Sequence, residues 1–405
     1  MSRFAVIAAL FVGVAAVTGV ANADDQPQVT KALAKPLKAA QEALQAKNYP
    51  ETISKVKEAA AQAPHSAYDD YVINSLLMSA YAGQADYPSA ARAIEQIIDT
   101  PFLPSASKLQ LLKTLMAIDY QTKDYDKAVQ YGERARAAGD SSEDTALTIA
   151  QAYYLQGKYK EALAGMNAIA AADEAAGRRP SEKNLKFIWD CALKVKDEAT
   201  AAKTVESLIL NYPKPDYWAN AMAATLANRS SDDHILLLTF RLMADVGILK
   251  RGSDYTEMAQ IALAPGNPGE AQSVLEQAFA RNLYSDPRDK ERNQRLLEQV
   301  KKKAQEDRGS IASDEKEAAA AASGNAWVQL GSAYLGFGQA DKALAAINAG
   351  IAKGNLKSDD EAYILLGIAN KRTRNTADAL KAFAKATKDP QYARLAKLWA
   401  LNARS

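Results

Sequence analysis

Residues 330–344 read LGSAYLGFGQADKAL, and residues 149–163 read IAQAYYLQGKYKEAL. Both stretches have a small residue second, Tyr fifth, Gly ninth and Ala-Leu at the end. Apolar residues three and four apart put one stripe on a helix. Here two such stripes flank a Gly, which tolerates backbone angles that a side chain would penalise. Each stretch therefore reads as two helices and the turn between them. Ala150 and Gly331 on the first helix, and Ala162 and Ala343 on the second, are small enough to let the pair approach closely.

The same phrase recurs outward along the chain. One copy has Tyr363, Leu366, Gly367, Ala379, Phe383 and Pro390, and upstream copies include Leu112, Leu115 and Tyr125, then Leu77, Tyr81, Tyr87 and Ala90. A weaker first copy has Ala40, Tyr49, Val56 and Pro64. Tyr49, Tyr87, Tyr125 and Tyr159 follow one another at steps of 38, 38 and 34 residues. Fixed steps of that size mark stacked repeats, in which a lone unit cannot bury its own faces. Three further units are degenerate: one with Trp189 and Leu193, one from Trp218 to about Lys250 without the turn Gly, and one with Met258, Ala262 and Leu275 whose turn is GNPGE (266–270).

These residues resemble the tetratricopeptide repeat family over about Lys31 to Pro390, most strongly at 146–169 and 327–390. The resemblance implies an all-α fold, a right-handed α-solenoid of stacked helical hairpins with a concave face. It also implies protein or peptide binding rather than chemistry. In that register Lys113, Tyr120, Gln151 and Tyr154 line the concave groove from adjacent first helices, a mix of aromatic and polar side chains suited to a bound peptide. Some members of the family grip a terminal carboxylate with Lys and Asn. Lys113 fits part of that pattern, but Ala117 stands where Asn is wanted, so the clamp is not supported.

One region departs from the repeat. DPRDKERNQRLLEQVKKKAQEDR (286–308) is dense in both charges, with a narrow stripe of Leu296, Leu297 and Val300. It is expected to be a helix lying on the array, broken at Gly309-Ser310, with Ser313-Asp314 capping a second helix through Ala322. The expected organisation is therefore a leader at 1–23, an N-terminal array at 24–285, a charged helical connector at 286–323, and a C-terminal pair of repeats with a closing helix at 324–405. Lys301 to Lys303 form a basic stretch whose plain reading is a solvated face.

The amino terminus, MSRFAVIAALFVGVAAVTGVANADD, has one cation, an apolar run over 4–17, and small residues at Ala21 and Ala23. That is the pattern of a secretory signal cleaved after Ala23. The run is shorter than the roughly 18–20 residues of a spanning helix. The nearest later candidate, HILLLTFRLMADVGILK (234–250), is interrupted by Arg241 and Asp245, so no stable membrane insertion is expected once the leader is removed. The short Ala-rich signal and the repeat style point to a bacterial periplasm. A single cysteine, Cys191, rules out an internal disulfide and reads as a small buried residue.

Chemistry leaves few marks. The formal charge of +2 gives no long-range pull toward nucleic acid. His65 and His234 have no second His or Cys at metal-ligand spacing, and no nucleophile-elbow or phosphate-loop motif is present. No metal, cofactor or catalytic residue is expected. Asn228-Arg229-Ser230 matches a glycosylation sequon. The sequence thus supports an exported scaffold or adaptor for a protein or peptide. A small-ligand-binding protein, an enzyme subunit, or a purely structural envelope spacer stand as alternatives.

Overall fold

A computed structural model describes residues 27–62, 64–227 and 232–404. The expected leader and the Asn228 sequon lie outside the described residues. Among those residues the chain is entirely helix, turn and loop, with no strand. It forms two units, one up to Asp197 and one from Glu198.

The first unit contains α1 (Lys31–Gln45), α2 (Tyr49–Ala60), α3 (Ala67–Gly83), α4 (Tyr87–Ile97), α5 (Ser105–Thr122), α6 (Tyr125–Ala137), α7 (Glu143–Leu155), α8 (Tyr159–Ala175) and α9 (Glu182–Lys194). Consecutive helices pair as the hairpins α1/α2, α3/α4, α5/α6 and α7/α8, and each second helix also packs on the helix that follows. First helices touch across units of the repeat, α1 with α3 and α5 with α7, while successive second helices make no comparable contact. First helices therefore lie on the inner side of the curve. The seams are filled by apolar side chains such as Ile94, Ile97, Leu112 and Leu115 in one layer and Leu33, Val56 and Leu76 in the layer before it. At the amino-terminal edge Asp69 accepts hydrogen bonds from Thr30 N (2.8 Å) and Thr30 Oγ1 (2.5 Å), tying the start of α1 to α3. Burial alone would raise the Asp69 carboxyl, but these bonds and those from Ser66 hold it down at about 2.

The second unit contains α10 (Glu198–Asn211), α11 (Pro215–Ala227), α12 (Asp233–Asp245), α13 (Gly252–Leu263), α14 (Pro268–Ala280), α15 (Pro287–Ala320), α16 (Asn325–Gly336), α17 (Ala340–Lys353), α18 (Asp359–Arg372), α19 (Thr376–Phe383) and α20 (Pro390–Arg404). Here α13/α14, α16/α17 and α18/α19 are the hairpins, and α20 packs on α18 and α19. A Cβ on Gly331 would meet the Ile347 side chain at 2.4 Å, so any larger residue there would force Ile347 to move. Arg241, the charge that interrupts the apolar run of α12, is 2% exposed. Its guanidinium donates to both carboxylate oxygens of Glu270 on α14, at 2.6–3.0 Å, and to Ser332 Oγ on α16 at 3.0 Å. A buried charge is tolerated when paired in this way.

All seven hairpins turn by one device. Two residues before each second helix the chain steps into the left-handed region, at Lys47, Ala85, Lys123, Gly157, Gly266, Gly338 and Arg374. At six of the seven, the next residue donates its N–H back five residues to the first helix, as Asn48 does to Ala43 (2.8 Å) and Gln339 to Tyr334 (2.8 Å). Four of the left-handed residues are not glycine. In those four the following residue, Asn48, Asp86, Asp124 or Asn375, caps the second helix with its side chain. The three glycine turns lack that cap. A favourable cap thus offsets the unfavourable backbone step where glycine is missing.

Three expectations need correction. Gly309-Ser310 is not a break, because α15 runs unbroken for 34 residues. Asp286 caps its start, and Ser310 and Ser313 hydroxyls bond back to Asp307 and Ser310 carbonyls inside the helix instead of capping a new one. Lys, Glu and Ala on either side are strong helix formers that outweigh one exposed Gly. The GNPGE turn ends at Asn267; Pro268 to Glu270 form the first turn of α14. The boundary between units falls after Asp197 rather than after residue 285. The segment expected as a connector is α15, packed between α14 and α16 within the second unit.

Candidate functional site

The candidate surface is the first-helix face of α5, α7 and α9. Tyr120 and Tyr154 each stand three residues before the left-handed residue of their turn, Lys123 and Gly157. Gln151 and Asp190 each stand six residues before theirs, Gly157 and Lys196. Tyr120 Oη donates to Gln151 Oε1 at 3.2 Å, and Tyr154 Oη donates to Asp190 Oδ2 at 2.6 Å. The same rung is built twice, from one helix to the next.

Around the second rung, Tyr154 meets Phe187 and Tyr159 edge-on, with centroids 5.1 and 5.2 Å apart. The Lys194 ammonium lies 5.7 Å from the Tyr154 centroid and 5.0 Å from that of Tyr159, within cation–π range. The hydrogen bond to the Asp190 carboxylate, with burial second, pushes the Tyr154 phenol up to about 12, so it remains a donor at neutral pH. Leu155 and Leu193 lie beside this cluster in sequence and are 50% and 53% exposed.

Lys113 belongs to a separate cluster. Its ammonium sits 3.4 Å from Asp140 Oδ2 and 3.4 Å from Ser142 Oγ, in the loop between α6 and α7. Burial would raise Asp140, but Thr145 and Ser142 hydroxyls and the Ser142 N–H, with Lys113 beyond them, hold its carboxyl below the usual range.

Of the four expected groove residues, the structure joins Tyr120 to Gln151, places Tyr154 one rung further along, and sets Lys113 against the next loop. Sequence reasoning missed Asp190, Phe187 and Lys194 because the repeat around Trp189 has no turn Gly to fix its register. A usable signal was present: the Lys-Asp pair of the turn at 123–124 recurs at 196–197.

Cys191, next to Asp190, is fully buried and unpaired, and burial followed by the Asp190 charge pushes its thiol up to about 11. No group of three His, Cys, Asp or Glu side chains is placed to hold a metal ion among the described residues. No helix among them is long and apolar enough to cross a membrane.

No family model and no curated protein matches this chain. Two solved structures align with most of its length. The P58(IPK) TPR domain is 14% identical, with 85% of this chain and 99% of that chain covered, at a TM-score of 0.25. Naa15/Naa10 bound to HypK-THB is 13% identical, with 87% of this chain and 63% of that chain covered, at a TM-score of 0.29. The fold is tetratricopeptide-like. At such TM-scores that statement stands on the seven hairpins and their common turn.

Proposed function

We propose that this chain is an exported bacterial scaffold that binds a protein or peptide along the inner face of α5, α7 and α9. The observation that carries the reading is the repeated rung. Tyr120–Gln151 and Tyr154–Asp190 hold half-buried polar and aromatic groups in fixed positions before any partner arrives. Side chains already ordered in the free protein lose little entropy on binding. Tyrosines with a dry ring and a wet hydroxyl suit a segment that brings both apolar and polar groups. Leu155 and Leu193 add exposed apolar surface at the edge of the same face.

A photo-crosslinking residue at Gln151 is expected to capture a defined protein in cells, and one at exposed Lys160 on α8 is not. Tyr154→Ala and Lys113→Glu should each weaken that capture. If neither substitution changes the captured set, the inner face is not the binding surface. Export is tested by fractionation and amino-terminal sequencing: a periplasmic protein beginning at or near Asp24 is expected, and a cytoplasmic protein with Met1 intact contradicts it.

A further inference from the structure

Within each unit, the first turn of a second helix packs on the last turn of the following first helix. Tyr49, the first residue of α2, fills that joint, and a Cβ on Gly83 would lie 2.3 Å from its ring. Tyr159 on α8 is covered by Lys194. At the start of α14, a Cβ on Gly269 would lie 2.2 Å from the Phe337 ring. Counted from the left-handed residues, the position of Tyr49 is held at α17 by Ala340, and the position of Gly83 is held on α18 by Arg372. The ring is absent and a cation faces the gap.

A cleft of about 720 Å³ opens there. Lys342, Arg372 and Arg374 line it, with Asp341 as the one carboxylate, leaving two positive charges in excess. None of the three cations is in an ion pair among the described residues. Arg372 Nη1 donates to the Leu335 carbonyl at 2.7 Å, which anchors the guanidinium at the joint. The Lys342 ammonium lies 5.5 Å from the Tyr334 centroid, and the Tyr334 hydroxyl is held by Glu315 at 2.6 Å. Gln339, also on the cleft wall, has a buried Oε1 without a hydrogen-bond partner.

We infer that this cleft binds the phosphate monoester of a small molecule. The excess charge of two matches the dianion, and guanidinium groups bind phosphate oxygens in pairs. The volume is in the range of small-molecule sites and exceeds what a bare phosphate fills, so the ester carries an organic part. The site is in the second unit and does not depend on the binding surface proposed for the first.

The test is calorimetry and phosphorus NMR on the full chain at fixed ionic strength, with inorganic phosphate and glycerol 3-phosphate as probes. Saturable binding is expected, tighter for glycerol 3-phosphate. Two variants remove the site without straining the fold. Ala340→Tyr restores the ring found at Tyr49 and Tyr159. Arg374→Gly removes a charge at a left-handed position that glycine prefers. Each should weaken binding by about tenfold or more, with an unchanged or raised melting temperature. The assignment is overturned by no saturable binding of either probe. It is equally overturned by wild-type affinity in both variants, or by equal affinity for the two probes, which would remove the organic part.

Discussion

Ala85 is exposed and takes a left-handed backbone (φ 59°). A left-handed alanine costs about 1–2 kcal/mol, against about 0.5–1 kcal/mol for the extra freedom of an unfolded glycine. Ala85→Gly is therefore expected to stabilise the first unit by about 0.5–1 kcal/mol, read from the denaturation midpoint; a destabilised variant would contradict the turn assigned here. Asp119 sits where the other first helices carry Tyr, Ala or, on α18, Asn370; it is 7% exposed and leaves Oδ2 without a partner. Burial, aided by the charges of Asp124 and Glu95 and opposed by Lys127, pushes its carboxyl up to about 6. An acid with a raised folded pKa holds its proton more tightly folded than unfolded, so stability rises as pH falls from 7 toward 5. Asp119→Asn is expected to stabilise the protein at pH 7 by on the order of 2 kcal/mol, with the gain fading as pH falls from about 6 and gone by about pH 4. A gain that does not change with pH would show that ionised Asp119 is not the cost. Neither feature is legible in the sequence, because an alanine says nothing of its backbone angle and an aspartate nothing of what packs over it.

Helix α15 shows how an element escapes residue-by-residue reading. Gly-Ser followed by Ser-Asp looks like a stop and a fresh cap, yet the helix continues because the flanking residues favour it and nothing competes for the exposed Gly309. Gly309→Ala is expected to stabilise the second unit by about 1 kcal/mol; a loss would point to a break at that residue. Hairpins with a Tyr near the end of the first helix and a Gly in the turn, such as α7/α8 and α16/α17, were legible at once. The hairpin turned at Lys47 read as a weaker copy because its left-handed residue has a side chain. The Arg241–Glu270 pair could not be read at all, since two charges 29 residues apart announce no partnership until α12 and α14 are packed side by side.

At the scale of the molecule, stability accrues along each unit from hairpins and the joints between them. The two units have separate cores, and no disulfide joins them, since Cys191 is the single cysteine. Trp189 lies in the first unit, and Trp218, Trp327 and Trp399 in the second. In a Trp189→Phe variant, tryptophan fluorescence reports the second unit alone while circular dichroism reports both. Denaturation curves from the two signals are expected to separate; coincident curves would make the chain one cooperative body. The left-handed steps at Lys47, Ala85 and Lys123 fall 38 residues apart. The segment from Asp86 to Lys123 thus begins and ends at the same point of the turn, and a duplicate spliced after Lys123 meets the same kind of neighbour on both sides. Length is then a quantity that gene duplication adjusts in whole cassettes, with neither terminus obliged to change.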